Sequence, residues 1–193
     1  MSPPVDLVPL ECLRCRARLP AEEGQVAWIC SACGQGQRLD NESALRELPI
    51  HFAEGEPGTS VLWFPFWVLQ GTVRIVERLS YGRDQAPDSR WEAPQTFVLP
   101  GFETTPEEGV QWGMRFLREP IRLAPGHASS LPTVTIAPEE AEALAEFVVL
   151  SFEADRRDKL KSLRAVLDLG PPELWCLPFA GAGGSLRLAQ AAP

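Results

Sequence analysis

The alternation of hydrophobic and polar residues predicts strands in the middle of the chain. The longest apolar run covers residues 61–69, and Gln70-Gly71 separates it from an alternating polar and apolar run over 72–75. This pattern predicts two strands joined by a tight connection. Because Pro65 cannot donate a backbone hydrogen bond, the first strand is expected at an edge or a bulge.

Two later segments combine helix-start signals with helical spacing of apolar residues. Thr105 can cap a helix, Pro106 suits its first position, and Glu108 completes a capping box. Pro138 opens a second helix whose first turn is acidic, as the helix dipole favours. Residues 147–152 are compatible with both helix and strand, and we interpret them as a strand that follows this helix.

The remaining elements complete an α+β pattern. We expect a helical turn at 41–46 capped by Asn41, a strand at 96–99, a helix within 158–169 and a last strand at 173–177. Gly, Pro and Ser mark loops at 81–91 and 123–133. We place an α+β domain at 47–182 and a disordered tail at 183–193.

Four of the five cysteines form two C-x2-C pairs, Cys12 with Cys15 and Cys30 with Cys33, separated by 14 residues. Each pair lets two thiolates converge on one ion from a tight turn. Two pairs supply four soft ligands in a tetrahedron, the arrangement that suits Zn2+. Gly34 can adopt the positive φ that such a turn commonly needs. The spacing therefore predicts a Zn2+ site.

A strand predicted at 24–30 and a return strand at 36–39 surround the second pair. With them, the segment 8–40 resembles a zinc ribbon of the rubredoxin-like or transcription-factor type, over about a fifth of the chain. It departs from that pattern at Arg16, where many ribbons carry glycine. Because four cysteines fill the coordination shell of Zn2+, we expect an architectural site without a catalytic water.

Other uses of the cysteines fit the sequence less well. Disulfides need an oxidising compartment, and the N-terminal residues lack the pattern of an export signal, so we expect a cytoplasmic protein. Iron held as in rubredoxin remains open, although rubredoxins surround the metal with several aromatics and only Trp28 is available here. A redox dithiol needs its C-x2-C at a strand-to-helix junction, where neither pair lies.

The rest of the chain shows no catalytic motif, so we predict a non-enzymatic protein without a small-molecule substrate. His127 lies in a loop beside serines but without a nucleophile elbow. We expect His51 to be half-buried, Cys176 to act as a small hydrophobe, and the mixed charges of 155–159 to be solvated. The glycines of 181–184 lack the Lys-Ser/Thr of a phosphate-binding loop.

Aromatic residues on the strand at 61–69 are the second candidate site. Side chains alternate along a strand, so one face holds Trp63 and Trp67 and the other holds Phe64 and Phe66. Both faces are buried only if material covers both. We interpret the four residues first as core. We also keep them as a candidate interaction surface, because an aromatic face left uncovered would mark a protein interface.

Charge limits the choice of partner. The net charge is −8, divided into −1 for residues 1–40 and −7 for the remainder, which opposes binding to a polyanion across the whole surface. Arg14, Arg16 and Arg18 can still form a small basic patch, or they can pair with Glu11, Glu22 and Glu23. The longest apolar run is too short to span a bilayer.

We therefore predict a zinc-ribbon adaptor or accessory subunit that binds another protein. The alternative is a nucleic-acid- or transcription-associated ribbon protein.

Overall fold

The computed structural model describes residues 8–20, 22–40, 42, 44–56, 59–82, 86–127, 129–182 and 185–190. These residues form a three-stranded sheet, a six-stranded sheet and two α-helices, which confirms the α+β class. The small sheet is antiparallel and consists of β1 (Ala27–Ile29), β2 (Gly36–Leu39) and β3 (Leu45–Glu47). The first two strands form the hairpin predicted around the second cysteine pair, and we call the cysteine-containing segment 8–40 the ribbon. The third replaces the helical turn predicted at 41–46, whose cap Asn41 lies outside the described residues.

A single 20-residue strand organises the large sheet. Its strands are β4 (Ile50–Phe52), β5 (Leu62–Tyr81), β6 (Gln95–Pro100), β7 (Lys159–Leu169), β8 (Glu173–Ala182) and β9 (Ser185–Leu188). The long strand β5 pairs on one side with β8 and then with β7, which follow each other end to end, and on the other side with β6. Strands β4 and β9 both pair with β8.

The connection predicted at Gln70-Gly71 is wrong, because β5 runs straight through these residues. At Gly71 the backbone of β5 approaches the backbone of β7 closely, and no turn forms. A Cβ at Gly71 would lie 2.1 Å from the carbonyl oxygen of Asp168 on β7. Only glycine fits at this crossing point, where β5 passes from β8 to β7.

The helix predicted within 158–169 is also wrong, because this segment is β7. Its leucines match both a helical and an alternating spacing, and pairing with β5 decides for the strand. Alternate side chains pack against the main core, namely Leu163, Ala165, Leu167 and Leu169.

The predicted tail is wrong over Ser185–Leu188, which form β9. Residues 183–184 and 191–193 of that tail lie outside the described residues.

Two helices pack on the sheet, α1 (Pro106–Arg118) and α2 (Pro138–Ala154). Helix α1 begins as predicted: the Glu108 backbone N–H donates to Thr105 Oγ1, and the Thr105 N–H donates to Glu108 Oε2. Helix α2 continues through 147–152, so the strand predicted there is wrong. Its apolar side faces the sheet at helical spacing. Among the described residues, no helix is long and apolar enough to cross a bilayer.

The two faces of β5 contribute to two separate cores, as the alternation of side chains predicts. Trp67 packs beneath α2, whereas Phe66 packs with aromatics on the opposite side of the sheet. Both are 0% exposed, so the candidate interaction surface loses these two residues. Trp63 and Phe64 are half-buried, and the Trp63 ring lies edge-on to Phe52 at a centroid distance of 5.3 Å.

Candidate metal centre

The four predicted ligands come together beside β1. The Sγ atoms of Cys12, Cys15, Cys30 and Cys33 all lie within 4.8 Å of one another. The Cys12–Cys33 and Cys15–Cys30 Sγ distances are both 3.5 Å. A tetrahedral centre with Zn–S bonds of about 2.3 Å has sulfur separations of about 3.8 Å. The sulfurs therefore already have the spacing of a tetrahedral site and can hold one metal ion.

Backbone hydrogen bonds fix both cysteine turns in the same way. The N–H of Cys12 donates to the carbonyl oxygen of Ala17 at 2.8 Å, and the N–H of Cys30 donates to that of Gln35 at 2.9 Å. Each bond closes the chain around one C-x2-C pair. Each turn thus brings two sulfurs to the site.

Local electrostatics make the thiols unequal. The backbone N–H groups of Cys15 and Arg14 face Cys12 and lower its pKa to about 6. At Cys33 the N–H of Gln35 lowers the pKa, but burial and the three neighbouring thiols raise it to about 12. Charge on the first thiolates thus opposes ionisation of the last. A divalent cation relieves this repulsion, so metal binding releases protons.

Gln37 supports the first turn, a role that sequence analysis missed. Its side chain is fully buried, and its Oε1 accepts a hydrogen bond from the backbone N–H of Leu13 at 3.1 Å. Its Nε2 has no hydrogen-bond partner in the part of the chain that the structure describes. No motif marks this glutamine. Only the register of β1 and β2, which pairs Gln37 with Trp28, brings it to the cysteine turn.

The chain matches no protein-family model, no curated protein and no solved structure. The chemistry of the site therefore follows from its donors alone. Four thiolates form a soft tetrahedral ligand set, which suits zinc and iron. Because the four sulfurs complete the coordination shell, the geometry supports a metal that holds the two turns together.

The ribbon packs directly on the larger sheet and helices. The N–H of Val26 donates to the carbonyl oxygen of Val134 at 2.8 Å, and Arg38 forms a 2.9 Å ion pair with Glu139 at the start of α2. Ala27 belongs to the same buried core as the α2 side chains. The ribbon is therefore joined to the main core by a hydrogen bond, an ion pair and apolar contacts.

The three arginines around the first cysteine pair lie at the surface. Arg14, Arg16 and Arg18 are all exposed, as is the adjacent apolar side chain of Leu13. Within the described ranges, none of the three arginines forms an ion pair, so the alternative pairing with nearby glutamates is not seen. The first cysteine turn therefore displays one apolar and several cationic groups.

The other sequence candidates do not join the metal centre. His51 is half-buried, as predicted, against the Trp175 ring at a centroid distance of 4.6 Å, and His127 lies exposed in its loop. Cys176 is fully buried among apolar residues, and burial raises the pKa of its thiol to about 12. It packs as the small hydrophobe that the sequence predicts.

The solvated face predicted for 155–159 is confirmed at Asp155, Arg157 and Lys159, which are exposed, but it is wrong at Asp158, which belongs to a buried charge cluster. Arg78 Nε donates to Glu153 Oε2 at 2.6 Å, and the two terminal nitrogens of Arg78 donate to the Asp158 carboxylate at 2.6 and 3.0 Å. Glu153 also accepts from the Trp91 indole N–H at 2.7 Å and from the Asp88 backbone N–H at 2.8 Å. These contacts clamp α2 to β5 and to the start of β7, which is a structural role.

Proposed function

We propose that the four cysteines hold one structural Zn2+ and that the protein is a non-enzymatic adaptor or accessory subunit that binds another protein. The single observation that carries the metal assignment is the convergence of four sulfurs within 4.8 Å. Zn2+ accepts four thiolates in a tetrahedron and then has no open position for an activated water.

A structural ion is needed because the core around the cysteines is small. Besides Cys12 and Cys30, its fully buried members are Leu19 and Trp28. A segment of this size rarely folds on apolar burial alone. Structural zinc sites contribute about 10 kcal/mol or more to folding at neutral pH.

Elemental analysis of the purified full-length protein tests the metal assignment. We expect one zinc per chain. If iron is found at the same stoichiometry, with the visible absorption of an iron–thiolate centre, the site is an iron site like that of rubredoxin and the zinc assignment is wrong. A metal-free protein that folds fully would overturn the assignment.

The outer side of the first cysteine turn supports the adaptor role. Leu13 is 40% exposed, and Arg14 and Arg16 lie exposed beside it. A turn fixed by a metal presents these side chains in one conformation, which lowers the entropic cost of binding. An apolar group beside cations is complementary to an acidic protein surface with an apolar pocket.

Affinity purification of the tagged full chain from its native cells tests this role. We expect a stoichiometric protein that is retained after nuclease treatment and lost from the double variant Leu13→Asp with Arg14→Glu. Arg74→Glu is the matched control, because Arg74 is exposed on β5 away from the ribbon. If no stoichiometric protein is recovered, or if the double variant still recovers it, the proposed surface is wrong.

Nucleic-acid binding is the second candidate, supported by the three ribbon arginines, which are exposed and form no ion pair within the described part of the chain. It predicts that recovery in the same experiment depends on nucleic acid and collapses with nuclease. Binding should then weaken with salt, because protein cations displace counterions from phosphates. Arg14→Glu combined with Arg18→Glu should abolish it.

A further inference from the structure

Helix α2 exposes an apolar stripe on the side that faces away from the sheet. Its members follow one another at intervals of four, three and four residues, namely Ala143, Phe147, Leu150 and Ala154. Phe147 is 58% exposed and Leu150 is 41% exposed. This is the spacing of the seam between two packed helices, although the opposite side of α2 is already buried. The stripe therefore forms a second packing surface.

Helix α1 lies beside α2 and runs in the same direction. Gly109 closely approaches Leu144, and Gly113 approaches Val148, where an added Cβ would meet side chains at 2.8 and 2.5 Å. At the C-terminal ends, Arg118 pairs with Asp155. The helices pack side by side, and α1 lies over the edge strand β6, where it contacts both cores. To this helical layer α1 adds an exposed polar row, consisting of Glu108, Gln111, Arg115 and Arg118.

Charge is distributed unevenly along this layer. The first turn of α1 carries Glu107 and Glu108, and its last turn carries Arg115 and Arg118. Helix α2 starts with acidic residues, including the exposed Glu140. At its C-terminal end Asp155 is paired with Arg118, and the exposed Arg157 lies just beyond. When a second copy packs on this layer with its helices antiparallel to those of the first, the acidic N-terminal ends of one copy lie over the basic C-terminal ends of the other. A copy in the same orientation would bring like charges together.

We propose that this helical surface, formed by the α2 stripe and the polar row of α1, binds a second copy of the chain in antiparallel orientation. A two-fold axis between Phe147 and Leu150 places each of these against the other in the second copy. The same axis sets Ala143 opposite Ala154, and it brings the acidic start of α2 towards the end of the helix beyond which Arg157 lies.

On α1 this axis sets Glu108 opposite Arg118, and Gln111 opposite Arg115. The interface is isologous, because one patch supplies both halves. Apolar and charged positions match under a single rotation, which favours a second copy over an unrelated partner. This self-association is independent of the metal centre and of the proposed adaptor role.

Sedimentation equilibrium of the full-length, metal-loaded protein tests the proposal, over concentrations up to about 1 mM, the range of weak affinities. We expect a reversible dimer. Phe147→Glu should raise its Kd about tenfold or more, because it places a charge at the centre of the apolar seam. Leu79→Glu is the matched control, because Leu79 is 50% exposed on β5, and the Kd should not change.

Position 111 provides a second test that does not disturb the apolar seam. Gln111→Glu should lower the Kd, because it faces Arg115 of the second copy, whereas Gln111→Arg should raise it. If the wild-type protein stays monomeric, the proposal is wrong, and the apolar stripe must bind a different partner. A dimer that Phe147→Glu leaves intact, or one that both Gln111 variants shift in the same direction, overturns it as well.

Discussion

Arg16 and Gly34 occupy equivalent positions in the two cysteine turns. Each is the fourth residue after the first cysteine of its pair, and each has a positive φ, 63° at Arg16 and 74° at Gly34. The backbone N–H of Arg16 donates to Cys12 O at 2.9 Å, and that of Gly34 donates to Cys30 O at 2.8 Å. Arg16 therefore departs from the ribbon pattern in residue type but not in backbone conformation.

Arg16→Gly should stabilise the metal-loaded protein. The left-handed region costs a residue with a Cβ about 1 kcal/mol or more, and the unfolded-state entropy of glycine offsets only part of the gain from removing it. Gly34→Ala should have the opposite sign and lower the free energy of unfolding by about 1 kcal/mol. A Cβ at Gly34 meets nothing within 4 Å, so that cost comes from the backbone alone. Chemical denaturation at saturating zinc measures both. Destabilisation by Arg16→Gly would show that the arginine side chain contributes more than its conformation costs.

Cys12→Ser combined with Cys33→Ser should abolish metal binding and expose the ribbon to hydrogen exchange over 27–39. The large sheet should remain folded but less stable, because the Val26–Val134 hydrogen bond and the Arg38–Glu139 ion pair depend on an ordered ribbon. Metal content and hydrogen-exchange mass spectrometry measure these effects.

Cys176→Ala is the control for the cysteine variants, because Cys176 is buried far along the chain and is not among the four grouped sulfurs. It should leave the metal stoichiometry unchanged. Unchanged zinc in the double serine variant would contradict the ligand assignment.

Gln37→Leu should weaken metal binding about tenfold, within the range seen when a side chain that orients a metal site is removed. The substitution keeps the volume but removes the acceptor for the Leu13 N–H. Gln25→Leu is the control, because the Gln25 side-chain amide donates to the carbonyl oxygen of Ala27 on β1 and Gln25 lies outside both cysteine turns. Competition with a zinc chelator measures the affinity. Equal effects of both substitutions would assign the loss to the strand rather than to the cysteine turn.

Sequence signals were reliable where the determining groups lie within a few residues of one another. The two C-x2-C pairs, the hairpin around the second pair and the Thr105 capping box each depend on a single turn or hairpin. The α1 helix and the convergence of the cysteines followed from them. By contrast, the leucines of 158–169 match two periodicities, and only pairing with β5 selects the strand.

Contacts between distant segments escaped prediction. Arg78 and Asp158 are 80 residues apart, and only the pairing of β7 with β5 brings them together. Without that pairing, Asp158 is one member of a run of mixed charges, which favours a solvated face. The sequence predicts a turn at Gly71, but glycine is common both in turns and where two backbones approach closely. The sequence alone does not distinguish these two uses.

Gly71→Ala should destabilise the fold by about 1–3 kcal/mol, as overpacked sites do. An added Cβ would collide with the carbonyl oxygen of Asp168 at 2.1 Å, and backbone cannot move aside as a side chain can. Gly55→Ala is the control, because a Cβ there makes only ordinary contacts, at 3.5 Å or more. Urea denaturation compares the two. Equal stability of both variants would show that β5 and β7 separate at this point without cost.

The Arg78 cluster predicts a distinctive pH dependence. Hydrogen bonds from Arg78 lower the pKa of Asp158. At Glu153 burial raises the pKa, but hydrogen bonds from Asp88, Trp91 and Arg78 outweigh it and leave the pKa lowered. The unfolded chain, with carboxyl pKa values of about 4, then takes up protons before the folded chain does. The contribution of this cluster is therefore complete above about pH 5 and falls as the pH is lowered through 4.

Arg78→Met should lower the free energy of unfolding by about 3 kcal/mol or more at neutral pH, because Asp158 stays buried without its cation and Glu153 keeps only its ion pair with the half-buried Arg156. Their pKa values then rise, so acidification neutralises them and relieves the strain in the variant while it weakens the wild type. The difference in stability between the two proteins should therefore shrink as the pH is lowered from about 7 to 4. Urea denaturation at matched pH measures it, and acid loss of the metal affects both proteins alike, so it cancels in the difference. A difference that stays constant with pH would show that the two carboxyl groups do not respond to the charge of Arg78.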